Sequence, residues 1–174
     1  MLVTHFWYPA YPLPLVEVCG SKETDKEVIH VTMNLMKHIG KTPVLMKKEV
    51  LGFIGNRIMH AMYREAISLV EKGIADPEDI DKVVLTSFGP RFANLGPLEY
   101  LDFNGLELIK SVQGYLFGDL DNTKGVMEIV KEKVAKGELG IKSGKGFFDW
   151  PSRNPDEVGA RRDKEFIRRM KEEK

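Results

Sequence analysis

Gly52-Phe53-Ile54-Gly55-Asn56-Arg57 opens the stretch that decides the fold. From Phe53 to Lys72 there is no proline, and Gly55 is the only break. Apolar residues fall at 54, 58, 61, 62, 66 and 69, and again at 59, 62, 66 and 70. Those spacings predict a helix that is apolar on more than one face, hence one surrounded by other helices. At about 1.5 Å of rise per residue it is a rod of roughly 30 Å, the width of a small domain. Its polar residues Asn56, Arg57 and His60 crowd toward the first turns, the end where a ligand group can dock.

Beyond this helix the pattern stays helical. Gly73 closes it, and Asp76-Pro77-Glu78-Asp79 supplies an N-cap, a proline at the first helical position and acids against the helix dipole. That predicts a second helix to about Phe88. Gly96-Pro97-Leu98-Glu99 opens a short third, and a fourth starts near Leu106 with Ile109, Val112 and Leu116 as its stripe. Thr123 is expected to cap a fifth, with Met127, Val130 and Val134 inward and Gly137 as terminator. A glycine-rich loop from Leu139 to Trp150 follows. Asn154-Pro155-Asp156-Glu157 then starts a charged helix expected on the surface.

Before Gly52 the character is α/β. Leu2, Val3, Phe6, Trp7, Tyr8 and Tyr11 are strand formers, and Leu15-Val16-Glu17-Val18-Cys19 is a second strand candidate. Thr24-Asp25-Lys26-Glu27 reads as a capping box, with Thr24 taking the Glu27 amide. The helix it opens carries Val28, Val31, Thr32, Leu35 and Ile39 as its apolar stripe and ends at Gly40. Pro43 places the strand from Thr42 to Lys47 at an edge or a strand start. Strand, strand, helix, strand is a fragment of an α/β sheet, as though the chain began in the middle of one.

Composition narrows the classes of function. The 174 residues are 43% hydrophobic and 30% charged, with Lys+Arg and Asp+Glu both at 26, so no net field favours nucleic acid or an anionic membrane. One cysteine, Cys19, excludes an internal disulfide and fits a reducing, cytoplasmic setting as a small buried residue. No run is long and apolar enough to span a bilayer, and no signal-peptide pattern is present.

His5, Glu17 and Asn56 are the candidates for chemistry. If the first two strands lie side by side, a His5–Glu17 hydrogen bond is available, and a carboxylate there fixes the imidazole tautomer and raises its basicity. Asn56, at the mouth of the long helix, can hold a substrate oxygen. On spacing alone, unrelated surface groups and a helix-capping Asn remain open alternatives.

The order of motifs adds a resemblance. His5-Phe6-Trp7-Tyr8-Pro9, Pro14-Leu15-Val16-Glu17-Val18 and Gly52-Phe53-Ile54-Gly55-Asn56-Arg57 resemble consecutive signatures of the NAD-dependent 3-hydroxyacyl-CoA dehydrogenase family. Glu65-Ala66, Gly73-Ile74, Asp79-Ile80-Asp81, Gly96-Pro97-Leu98-Glu99, Leu101-Asp102, Gly105-Leu106 and Gly140-Ile141-Lys142-Ser143-Gly144-Lys145-Gly146-Phe147-Phe148 continue in the family's order.

This resemblance implies a mainly α chain. Residues 1–49 would be the last part of a Rossmann NAD-binding domain, 50–150 an all-helical substrate and dimerisation domain of the 6-phosphogluconate-dehydrogenase type, and 151–174 a charged terminal helix. It implies His5 as base, Glu17 as its holder, Asn56 at the substrate, Lys142 at the cofactor NAD, a role in fatty acid metabolism, and a homodimer.

Two departures are visible. Tyr8 stands where the family has Asn, and no G-x-G-x-x-G turn for a pyrophosphate occurs in the sequence. If the enzyme is split, the expected partner is a Rossmann half carrying that turn, and the chain alone is expected to be inactive. A non-catalytic dimerisation module is the competing reading. Phe88-Gly89-Pro90-Arg91-Phe92-Ala93 is more similar to the gulonate dehydrogenase and lambda-crystallin branch, which acts on free hydroxy acids. There Arg91 would pair with a substrate carboxylate, with an exposed loop arginine as the open alternative.

Overall fold

The structure, a computed structural model, describes residues 1–172. It divides into two compact units, Met1–Met59 with the segment from Arg153 onward, and His60–Ser152. The division falls inside one long helix.

The first unit is built on a three-stranded sheet of β1 (Leu2–Phe6), β2 (Leu15–Gly20) and β3 (Thr42–Met46), in the order β1-β2-β3. β1 and β2 run antiparallel with His5 opposite Glu17; β2 and β3 run parallel with Glu17 beside Val44. β3 is an edge, where the missing N–H of Pro43 costs little, as its proline predicts. The Tyr8–Pro9 peptide is cis. The segment after it is clamped by the Lys41 ammonium, which donates to the carbonyls of Ala10 and Leu13.

Alternation along β2 does two jobs. Val16 and Val18 are fully buried on one face under Met36 of α1 (Lys26–His38), with Leu2 and Met33 packed around them. Glu17, between them in sequence, points to the opposite face and is 1% exposed. A buried carboxylate in the middle strand is costly unless its oxygens are satisfied. That requirement shapes the site.

Two expectations for α1 are corrected. Asp25 is its N-cap: the Glu27 amide donates to Asp25 Oδ1 at 2.8 Å, while the Thr24 hydroxyl is taken up with Met1 O and the Ser21 amide. The stripe Val28, Val31, Leu35 and Ile39 does not face the sheet; those side chains are about half exposed, and the neighbouring stripe of Met33 and Met36 packs instead.

α2 (Phe53–Glu71) is the long helix foreseen from the sequence. It is less enclosed than its pattern implies. Ser68 is its buried residue, and Ile54, Ile58 and Met62 stay substantially exposed. The first unit also contains α8 (Pro155–Glu172), entered through an Asn154 side chain that accepts from the Asp156 amide.

In the second unit the expected second helix is present and ends near the expected place, and a further short helix follows it where none was expected. α3 (Pro77–Thr86) ends at Ser87, whose φ of −122° and ψ of −96° turn the chain into α4 (Phe88–Phe92). α5 (Pro97–Asn104), α6 (Leu106–Leu116) and α7 (Glu128–Ala135) follow. Thr123 does not cap α7. It closes a turn on Asp121, and the amide of Ile129 in the first turn of α7 is satisfied by the Glu71 carboxylate at 2.8 Å. Among the described residues of this unit Met127 and Ser68 are the buried ones, whereas Leu98, Phe103 and Tyr115 are largely exposed. No helix among the described residues is long and apolar enough to cross a membrane.

Candidate active site

Glu17 is the centre of the site. Its Oε2 lies 2.9 Å from His5 Nδ1 and accepts from Trp7 Nε1 at 3.1 Å. Its Oε1 accepts from the backbone amides of Ile54 at 2.8 Å and Gly55 at 3.1 Å. Those amides belong to the first turn of α2, whose N–H groups have no partner within the helix and sit at the positive end of its dipole. Burial pushes the Glu17 carboxyl upward, but the bonds from His5, Gly55, Trp7 and Ile54 together hold it below its ordinary value. Glu17 is an anion, and it both orients His5 and caps α2.

The chain enters α2 through two successive left-handed residues, Gly52 at φ +81° and Phe53 at φ +53°. Glycine adopts that conformation freely; a phenylalanine does so at a cost. The result is useful twice over. The amides of Ile54 and Gly55 are aimed at Glu17, and the Phe53 ring stacks on His5 with centroids 4.9 Å apart and planes 24° from parallel. His5 is thus held by a carboxylate on Nδ1 and by an aromatic face, with its side chain about a third exposed (31%).

Asn56 lies in the first turn of α2, three residues after Phe53. It is half-buried, and its carboxamide has no hydrogen-bond partner among the described residues. Tyr8 is 88% exposed. Trp7, read from the sequence only as a strand former, is the residue that sequence reasoning missed: it lies beyond β1, and its ring rests against Gly55.

Arg91 and Lys142 belong to the second unit. Arg91 is exposed on α4; its Nη1 donates to the Tyr100 hydroxyl at 2.7 Å and its guanidinium lies 5.5 Å from that ring's centroid. Lys142 is exposed in the loop 139–150, beside a cavity that Lys133, Glu138 and Phe147 also line. The loop is rigidly built. Ser143 Oγ accepts from the Leu139 amide, and Glu138 bridges Lys133 and Lys145 at 3.1 and 2.7 Å. Cys19 is buried and free. No cluster of metal-ligating side chains exists among the described residues.

Residues 1–50 match the 3-hydroxyacyl-CoA dehydrogenase NAD binding domain, and residues 52–150 match the 3-hydroxyacyl-CoA dehydrogenase C-terminal domain. The 5-formyl-3-hydroxy-2-methylpyridine 4-carboxylate 5-dehydrogenase of Mesorhizobium japonicum is 37% identical over 167 residues, 96% of this chain and 54% of its own length. The human lambda-crystallin homolog is 39% identical over 117 residues, 67% of this chain and 37% of its own. A solved structure described as 5-formyl-3-hydroxy-2-methylpyridine 4-carboxylic acid 5-dehydrogenase, an NAD+-dependent dismutase, superposes with a TM-score of 0.89 at 36% identity, over 98% of this chain and 56% of the other. The chain therefore spans about half, or less, of the length of these relatives. NAD is the cofactor of the domain to which residues 1–50 correspond. By the match over residues 52–150, more than half of its length, this chain belongs to the 3-hydroxyacyl-CoA dehydrogenase family.

Proposed function

We propose that this chain carries the base and the helical substrate domain of an NAD-dependent dehydrogenase that oxidises a 3-hydroxyl to a 3-keto group. The observation that carries the reading is the His5–Glu17 pair. Because an ionised carboxylate only accepts, Nδ1 of His5 holds the proton toward Glu17, and Nε2 is left as the acceptor. Nε2 takes the hydroxyl proton as the carbon–oxygen double bond forms, and buried Glu17 stabilises the imidazolium that results. Asn56 holds the substrate oxygen with its free carboxamide.

In the first unit the His5 imidazole, about a third exposed, fits the reacting end of the cofactor; in the second unit Lys142 is exposed and can meet an anionic group. The residues present do not include the glycine-rich turn that cradles a pyrophosphate, so productive NAD binding calls for a Rossmann half that carries that turn. NAD held there would supply the acceptor for the hydride that leaves the substrate carbon. The exposed apolar side chains of the helical unit, Leu98, Phe103 and Tyr115 among them, support pairing with a second copy of the chain.

For the substrate, a small free hydroxy acid is favoured over an acyl-CoA. The first relative's name carries a free carboxylate, and Arg91 presents a guanidinium whose direction is set by Tyr100. A 3-hydroxyacyl-CoA is the second reading, supported by the family's name. The test is calorimetry of NAD with this chain alone and mixed with a Rossmann half of a relative, followed by an oxidation assay. Binding and turnover in the mixture, with turnover abolished by His5→Gln while NAD still binds, is the expected result. Turnover indifferent to His5, or no binding in the mixture, would overturn it and leave a dimerisation module.

A further inference from the structure

Glu17 Oε2 serves two donors, and only one of them belongs to the base. His5 Nδ1 approaches it at 2.9 Å and Trp7 Nε1 at 3.1 Å. Trp7 follows the last residue of β1, so the strand ladder does not fix its side chain. Gly55 does. A β-carbon at Gly55 would overlap the indole, with Trp7 Cε2 at 3.0 Å and Cη2 at 3.1 Å and Cζ2 nearer still. The absence of a side chain on the first turn of α2 is what admits the ring edge-on to the carboxylate.

We propose that Trp7 is a positioning residue for the His5–Glu17 pair, admitted by Gly55; this rests on the reading of His5 as the base. An indole N–H only donates and does not titrate, so it keeps a fixed partner on Oε2 whatever proton His5 carries. With Oε1 fixed by the Ile54 and Gly55 amides, the carboxylate is held at both oxygens. It cannot swing away when His5 is deprotonated, nor collect the proton when His5 is charged. A phenylalanine at position 7 would keep most of the ring contact and lose the donor.

The experiment is carbon-detected NMR titration of the Glu17 carboxyl in labelled protein, wild type against Trp7→Phe and Gly55→Ala. One titratable group, His5, is hydrogen-bonded to Glu17; β3 offers Val44 beside it and α2 offers backbone amides. Losing the indole donor is expected to shift the Glu17 midpoint upward in both variants. In the wild type the Trp7 indole N–H resonance should move with that titration while the Trp150 resonance does not. If Trp7→Phe lowers the melting temperature but leaves the Glu17 midpoint in place, Trp7 is filler and the proposal falls. In the reconstituted oxidation assay Trp7→Phe should lower kcat and spare KM; equal kcat would also overturn it. An upward Glu17 shift together with turnover unaffected by His5→Gln would instead refute the base reading, on its own terms.

Discussion

Gly55 and Glu17 are joined by a hydrogen bond of 3.1 Å that ties the middle strand of the sheet to the first turn of α2. The contact spans thirty-eight positions of sequence, and it makes one side chain responsible for both the orientation of His5 and the start of a nineteen-residue helix. Replacing Glu17 by Gln tests both duties together. A carboxamide can accept from the two amides, but its NH2 then faces the Trp7 donor and the protonated Nδ1 of His5. We expect a loss of about 1–3 kcal/mol in stability from the unmatched buried donors, read by chemical unfolding. In the reconstituted enzyme we expect a loss of about 10²–10⁴ in kcat, the range for removing acid–base assistance.

The pH dependence of stability has a definite sign. Glu17 in the folded chain titrates below its ordinary value, because the hydrogen bonds outweigh the burial. As pH falls, the unfolded chain therefore takes up the proton first, near the ordinary Glu value of about 4.3. The stabilisation is complete above that value and is lost as pH falls through the lower folded one. Melting temperatures measured from pH 7 down to pH 3 should show this acid limb in the wild type, and Glu17→Gln should flatten it. Identical limbs would remove Glu17 from the account.

The cap of α1 distinguishes the structure from its sequence reading. Asp25→Ala removes the acceptor for the Glu27 amide and should cost about 0.5–2 kcal/mol, with loss of amide protection in the first turn of α1. Thr24→Ser keeps the hydroxyl that bonds Met1 O and the Ser21 amide, and should be nearly neutral. No cost for Asp25→Ala, with the Glu27 amide as protected as before, would remove Asp25 as the cap.

The reasons for what was and was not legible are physical. His5 and Glu17 were readable as a pair because an antiparallel register brings directly opposed residues to the same face, and both lie in strand-forming runs. The long helix was readable because nineteen residues without proline repeat at one period. Trp7 was not, since it lies outside the strand and its position is dictated by a glycine forty-eight residues away. The capping of α2 by Glu17 and of α7 by Glu71 was hidden for the same reason: both carboxylates are remote in sequence from the amides they satisfy. In α1 two adjacent stripes are apolar. Periodicity says that each is apolar, and only packing decides that Met33 and Met36 take the sheet.

The loop 139–150 closes on a backbone contact. A β-carbon at Gly146 would stand 2.8 Å from Gly140 Cα and 3.1 Å from Gly140 N, neither of which can rotate away. Gly146→Ala should therefore open the bridge between Gly140 and Lys145 and release the Trp150 amide from Gly144 O. Faster hydrogen exchange at Trp150, with α2 amides unchanged, is the expected signature. If Lys142 does meet the cofactor, NAD affinity of the reconstituted enzyme falls in the same variant.

Arg91 decides between the two substrate readings. Its guanidinium is exposed, and it is kept from wandering by the Tyr100 hydroxyl and ring. A planar fork so held can grip a carboxylate through two parallel hydrogen bonds, which a lysine ammonium cannot reproduce. A charged hydrogen bond is worth about 1.5–3 kcal/mol, so Arg91→Ala should lower kcat/KM for a free 3-hydroxy acid by about 10–100-fold. Arg91→Lys should recover only part of that loss, and Tyr100→Phe, which removes the hydroxyl anchor but leaves the ring, should cost less than either. A 3-hydroxyacyl-CoA offers no carboxylate at that position, and its turnover should be indifferent to all three variants. If Arg91→Ala leaves the preference between free acids and CoA esters unchanged, the guanidinium is a surface group and the acyl-CoA reading gains.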